Sequence, residues 1–336
     1  MTLSGQQHEL RRYRIGASEI GALIDYFAPT DGLRVDPHKT AFDVFAERDC
    51  PSGEARDHQT WGLFQEPAIL GFFAHKNGLQ LLPSPGTLLH PKIGALCATP
   101  DGLARRPTGR LRNLQAKNAQ HHQAWRWGEA GTDDMPLLYV SQQTTELGVL
   151  LAQGGDLAGA VEDEGDTVVS LGGAPPVGFP IRFDPELFGR LAILAEKFVR
   201  DHIVAGKPPA VNASTVDSAA EWIKRKYPAP KLKLLTPTEE DRALVQLVAS
   251  MRKTVGAAED EKKQAEVALK MRLGEAEGFE GLCTYKKNKD SIGPDWEKIA
   301  LSLDAEKAVR LARAPEFLTI TREGARVLRI TNGKEK

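Results

Sequence analysis

The spacing of apolar residues changes several times along the chain, and each change predicts a new element. Ile20, Leu23 and Ile24 recur at helical intervals behind Gly16-Ala17-Ser18, with Ser18 as a natural N-cap. A loop rich in Gly, Pro and Asp follows, then a short helix over Thr40–Arg48. Phe64, Ile69, Leu70, Phe72 and Phe73 predict a helix over Trp61–Asn77, with Pro67 in its first turn or kinking it. Glu66 shares a face with Leu70 and Phe73, so its carboxylate looks toward a core and needs a base or a cation. From Leu79 the pattern becomes that of short strands: Leu79–Leu82, Thr87–Leu89, Ala95–Ala98 and Leu111–Lys117. Thr99-Pro100-Asp101-Gly102 is the turn between two of them. Helices are predicted near His122–Gly128 and over Pro136–Ala152. Two or three strands follow, with a loop at Gly172–Gly178, then a long helix over Pro185–Ala205. Past residue 210 the character shifts. Thr236-Pro237-Thr238-Glu239 reads as a helix start, and the helix runs to about Leu273, either unbroken or as a hairpin split near Gly256. Leu244, Val248, Met251 and Val255 draw a coiled-coil-like seam along it. A strand over Gly281–Lys287, a short helix or two and a final strand close the chain.

This order predicts an α/β fold with a central mixed sheet of four or five strands flanked by helices. Its length of 336 residues allows one large domain or two, read here as 1–230 and 231–336. Hydrophobic residues at 41% and charged residues at 26% are ordinary for a globular chain and exclude a disordered or collagen-like one. No window approaches 18 uninterrupted apolar residues, and the first residues lack the apolar core of a secretion signal. Cys50, Cys97 and Cys283 lie far apart without a CxxC pair, which points to reduced thiols and a cytoplasmic setting. A formal charge of −1 argues against a chain coated in cations but leaves room for a local basic patch.

The chemistry concentrates at Glu66, Asp101 and Gln115-Ala116-Lys117. Gln115 and Lys117 are two apart on one strand and point to the same face. An acid at a strand bend, a helix carboxylate, an amide oxygen and the carbonyl of Ala116 suit a hard divalent cation, with Lys117 beside it to orient or deprotonate a water. Elsewhere, Arg105, Arg106, Arg110 and Arg112 read as a phosphate-facing hairpin or as a solvated turn. His121-His122 with Trp125 and Trp127 reads as a base-stacking surface or as a helix whose tryptophans join the core. Lys286, Lys287 and Lys289 touch DNA or simply solvate a strand.

Blocks of text around these residues occur in a known order. They are Arg14-Ile15-Gly16-Ala17-Ser18-Glu19-Ile20, Trp61-Gly62-Leu63-Phe64-Gln65-Glu66-Pro67, Ala98-Thr99-Pro100-Asp101-Gly102-Leu103, Leu114-Gln115-Ala116-Lys117-Asn118 and Pro136-x-x-Tyr139-x-x-Gln142. From about residue 10 to 230 the chain resembles the YqaJ and lambda-exonuclease group of viral recombination nucleases, in the PD-(D/E)xK superfamily. The resemblance implies a restriction-endonuclease-like core, with a mainly helical C-terminal extension. It implies Mg²⁺, or Mn²⁺ in its place, held by Glu66, Asp101 and residue 115, and Lys117 as the catalytic lysine. Arg11 or Arg14, with Ser18, would contact the 5′ end or backbone of DNA. Glu19 stands in the same block and is a further acid that would compensate a weakened site. Tyr139 and Gln142 would face the substrate or buttress the site. The implied reaction is 5′→3′ hydrolysis of one strand of linear duplex DNA, with the 3′ tail passed to a single-strand annealing protein; homo-oligomers occur in the group.

One position departs from the pattern. The family's strand acid is usually glutamate, and here it is Gln115. An amide oxygen can ligate a cation but lacks the charge that attracts one. Besides a working nuclease, the residue is compatible with an inactivating substitution, with a DNA-binding or assembly module that has lost cleavage, and with a nuclease of other polarity or substrate.

Overall fold

The computed structural model describes residues 9–29, 34–51, 57–229, 234–289, 291–300, 310, 315, 318–322 and 326–330. Part of the expected C-terminal helix-and-strand region therefore lies outside the described residues. The chain divides into two compact units, Met1–Lys231 and Leu232–Lys336.

The N-terminal unit is a mixed α/β structure. Five strands form its main sheet: β2 (Gln80–Leu82), β5 (Gly102–Arg105), β6 (Leu111–Ala119), β7 (Val161–Leu171) and β8 (Val177–Arg182), in the spatial order β2-β5-β6-β7-β8. Only β6 and β7 run parallel, with Gln115 opposite Thr167; the other pairs are antiparallel. A small second sheet joins β1 (Ile15–Gly16), β4 (Leu96–Ala98) and β3 (Leu88–Leu89). Asp101 therefore sits where the chain leaves one sheet for the other.

Both faces of the main sheet are covered, so alternate residues of β6 meet different helices. Leu114 and Ala116 pack with Ile69 and Leu70 of α3 (Asp57–Lys76). Asn113 and Gln115 face α4 (Leu137–Leu151). A larger core lies beyond α4, where α1 (Ile20–Phe27), α2 (Ala41–Asp49), α5 (Pro185–Phe198) and α6 (Val216–Lys226) join β4 through Leu23, Phe42, Leu96, Phe198 and Trp222. A cavity of about 530 Å³ opens on the α3 face, lined by Phe73, Arg112, Asp166 and Gly178, on the side of the sheet away from Gln115.

Several elements differ from the sequence reading. Ser18 is no N-cap: it is exposed within a 3₁₀ turn, Ala17–Glu19, and α1 starts only at Ile20. The Glu19 carboxylate takes over the capping, accepting from the Gly16 amide at 2.9 Å. Because α3 begins at Asp57, Pro67 lies in the helix interior and not in the first turn. Residues 199–204 extend α5 as a wide π turn, and α6 is an element the apolar pattern did not predict.

In the C-terminal unit, α7 (Glu239–Leu273) is one unbroken helix of 35 residues that passes straight through Gly256. Its cap is Thr238, paired with Asp241, two residues later than the Thr236–Glu239 pair that the sequence offered. It ends at Gly274, whose φ of 52° suits a residue without a Cβ. Leu244, Val248, Met251 and Val255 are exposed along it. The unit also holds β9 (Gly278–Phe279), β10 (Cys283–Lys287) and β13 (Arg326–Ile330) in one sheet, and β11 (Ser291–Pro294) with β12 (Leu318–Arg322) in another. Among the described residues no helix is long and apolar enough to cross a membrane.

Candidate active site

Gly102 explains how two distant acids meet. A Cβ there would lie 3.0 Å from Leu70 Cδ1 and 3.3 Å from Leu81 Cδ1, so the bare backbone lets α3 close onto the start of β5. Glu66 is one helical turn before Leu70 and thus comes beside Asp101. Burial, and then the charge of Asp101, push the Glu66 carboxyl above its ordinary pKa, with Lys117 opposing them. Asp101 is pushed up as well: burial dominates, against the pull of Lys117 and of the Ala116 amide, which donates to Asp101 Oδ2 at 2.9 Å. Glu66, Asp101 and Lys117 thus form one electrostatic group.

Gln115 is fully buried on the same strand face as Lys117. Its Nε2 donates to Glu146 Oε1 at 2.8 Å, and its Oε1 has no hydrogen-bond partner among the described residues. Gln142 Nε2 donates to the same Glu146 oxygen at 3.1 Å, and Asn113 Nδ2 donates to Glu146 Oε2 at 3.0 Å. Glu146 is buried, and its carboxyl is pushed up to about 7 by burial first and the charge of Asp101 second. The Lys117 ammonium lies 5.5 Å from the centre of the Tyr139 ring, which stacks on Trp127 at 5.1 Å.

Of the residues singled out from the sequence, Glu66, Asp101, Gln115, Lys117, Tyr139 and Gln142 gather in this region. Gln142 holds Glu146, and Tyr139 supports Lys117. Glu146 was missed. It sits four residues after Gln142, one helical turn on, and that spacing was the available signal.

Arg11, Arg14, Ser18 and Glu19 belong to a second cluster. Glu19 is buried and does not sit among the acids of the site. It accepts from Arg48 Nη1 at 2.8 Å, also pairs with Arg48 Nη2, and lies 3.9 Å from Arg11 and 3.8 Å from Lys39. Burial alone would raise its pKa, but Arg48, Arg11 and Lys39 prevail and hold the carboxyl well below the usual range. A carboxylate so enclosed by cations is not free to compensate Gln115. Arg11 lies across Gly16, where a Cβ would come within 1.9 Å of its guanidinium. Arg14 bonds to the Leu10 carbonyl at 2.7 Å.

In the arginine-rich hairpin only Arg112 is withdrawn from the surface; Arg105, Arg106 and Arg110 are exposed. Arg112 is buried and bonded to Asp166 and Glu164, Arg106 pairs with Glu162, and Arg110 bonds to the Val161 carbonyl. The tryptophans divide: Trp127 joins the core with Phe179, and Trp125 is exposed. Lys286 pairs with Glu277 at 2.8 Å.

Residues 6–154 match the family model described as YqaJ-like viral recombinase domain. The match agrees with the motif resemblance, and the matched residues include Glu66, Asp101, Gln115, Lys117, Gln142 and Glu146. No curated protein sequence matches the chain. Among solved structures, similar chains include an alkaline exonuclease, LHK-Exo, from Laribacter hongkongensis, at 16% identity and a TM-score of 0.41, covering 60% of this chain and 94% of that one. LHK-Exo in complex with dAMP is similar at 16% identity and a TM-score of 0.41, covering 66% and 97%. The shutoff and exonuclease protein of Kaposi's sarcoma associated herpesvirus follows at 11% identity and a TM-score of 0.32, covering 64% and 69%.

Among the described residues no three His, Cys, Asp or Glu side chains stand close enough to hold a metal by themselves. A cation would therefore draw on Glu66, Asp101 and neutral oxygens. The two crowded carboxylates and the orphaned buried Oε1 of Gln115 fit a hard divalent ion.

Proposed function

We propose that the protein is a metal-dependent deoxyribonuclease of the PD-(D/E)xK kind, acting in the cytoplasm as a 5′→3′ exonuclease on linear duplex DNA during phage-type recombination. The observation that carries this reading is the joint placement of Glu66, Asp101, Gln115 and Lys117 within the YqaJ-like match. Glu66, Asp101, Gln115 Oε1 and the Ala116 carbonyl would hold Mg²⁺ or Mn²⁺. A cation there would neutralise charge developing on the scissile phosphate and acidify an attacking water.

The chain's own groups do the rest. Asp101, braced by the Ala116 amide, keeps a fixed carboxylate at the bend. Lys117, with Tyr139 at its side, orients the attacking water and offsets negative charge on the phosphate. Arg11, Arg14 and Ser18 contact the 5′-phosphate end, the arginines by charge and Ser18 from its exposed turn. The 3′ tail left behind passes to a single-strand annealing partner, and a homo-oligomer is the expected working form.

The test uses purified protein with 5′-phosphorylated linear duplex DNA in Mg²⁺, in Mn²⁺ and in chelator. Digestion that needs the ion and disappears in Lys117→Ala is the expected result. Intact duplex, single-stranded DNA and RNA under every metal condition would sink the nuclease reading. The neutral side chain at 115 favours one second reading, a DNA-end-binding module without cleavage. It predicts salt-sensitive end binding and no turnover even in Mn²⁺.

A further inference from the structure

Gln115 raises a question that its partner answers. A neutral residue stands where a metal site wants charge, yet a buried carboxylate lies directly behind it. The Gln115 amide is planar, so committing Nε2 to Glu146 at 2.8 Å sends Oε1 along the other arm of the amide. That oxygen is fully buried and has no donor among the described residues, while the next residue's amide braces Asp101. Glu146 is held by three carboxamides, from Gln115, Gln142 and Asn113; among the described residues no salt bridge reaches it, and Lys117 acts on it only by charge at longer range. An N–H donated to a carboxylate polarises its amide and enriches the carbonyl oxygen in negative charge.

We propose that Glu146 is a positioning residue that supplies, through Gln115, the negative charge that a glutamate at 115 would carry. It fixes which end of the amide faces the cation and strengthens that end as a ligand. The proposal rests on the cation-binding reading of the site given above. Glu146 acts from behind Gln115 and not as a ligand itself, since no third carboxylate stands within reach of Glu66 and Asp101 among the described residues. One corollary is specific. Gln115→Glu alone places two carboxylates in hydrogen-bond contact inside the protein, where both cannot stay ionised. Restoring the family's residue by itself therefore brings little gain.

The experiment is Mn²⁺ titration of the full chain, followed by the spin-resonance signal of the free ion. Parent, Asp101→Asn, Glu146→Gln, Gln115→Glu and the exchanged pair Gln115→Glu/Glu146→Gln are compared, with thermal melting run on each. Glu146→Gln is expected to fold, because Asn113 Oδ1 is buried without a partner and an amide turn lets it accept from the new side-chain N–H. It should weaken Mn²⁺ binding about ten- to a hundredfold, the usual cost of losing a group behind a ligand. The exchanged pair keeps one charge and one hydrogen bond in inverted order, and should regain most of that loss. Unchanged affinity in folded Glu146→Gln overturns the proposal alone. So does an exchanged pair that melts like the parent yet binds as weakly as Glu146→Gln. Mn²⁺ binding that is absent in the parent, or indifferent to Asp101→Asn, overturns the reading of the site and this proposal with it.

Discussion

Glu19 shows how one residue type takes opposite roles in different surroundings. It is as buried as Glu146, yet Arg48, Arg11 and Lys39 surround it and hold its carboxyl below the usual range, where Glu146, bonded by three neutral amides, has its own pushed up to about 7. The two carboxylates respond oppositely to pH. Glu19 has a folded pKa depressed below its ordinary 4.5, so its contribution to stability is complete above about that pH and is lost as the pH falls through the acid range. Glu19→Gln leaves Arg48 buried without its counter-charge and should cost about 3–5 kcal/mol at neutral pH. Urea unfolding at pH 7 and at stepwise lower pH checks this. The parent should lose its advantage over the variant as acid is added, and a constant difference would refute the assignment.

At the scale of elements, α4 is the least conventional piece. Its run Ser141-Gln142-Gln143-Thr144-Thr145-Glu146 would ordinarily be a solvated face, yet all six residues are buried. Four of the six are satisfied by local bonds or by partners on the sheet, while the Gln143 and Thr144 side chains have no partner among the described residues. Ser141 and Thr145 donate back to the Leu138 and Ser141 carbonyls, and Gln142 and Glu146 join the amide network with β6. Helix α6 was illegible for a different reason. It exposes most of its surface, and its buried residues are Ala219 and Trp222, too few apolar positions to make a period. Trp222 packs against Phe42 and Phe45 and donates to Asp49 Oδ2 at 2.8 Å. Trp222→Ala should therefore destabilise by about 3–5 kcal/mol. The check is the denaturant midpoint, and a shift worth under about 1 kcal/mol would mean that α6 is not anchored by this side chain.

For the whole molecule, the hydrophobic clusters of the N-terminal unit draw, among the described residues, only on residues of that unit. The fragment 1–231 should then fold alone, with a cooperative denaturation curve and a near-UV dichroism spectrum from its buried aromatics. A fragment that lacks both would show that the core is incomplete without the C-terminal unit. The formal charge of −1 hides a strong local sorting: cations collect around Glu19, and crowded carboxylates collect at Asp101. The total charge could not reveal that sorting, because it depends on which segments become neighbours.

The sequence by itself determined most element positions, the order of strands and helices in the matched region, and the grouping of Glu66, Asp101, Gln115 and Lys117 as one candidate site. These follow from periodicity and from short motifs, which are local. Tertiary structure alone decided what faces each residue. Helical spacing says that Gln142 and Glu146 share a face, and strand alternation says that Asn113, Gln115 and Lys117 do. Neither says that the two faces meet. That contact joins residues 31 positions apart and exists only because α4 lies across β6. It turned Glu146 from an unremarked helix acid into the partner of the one residue that departs from the family's pattern.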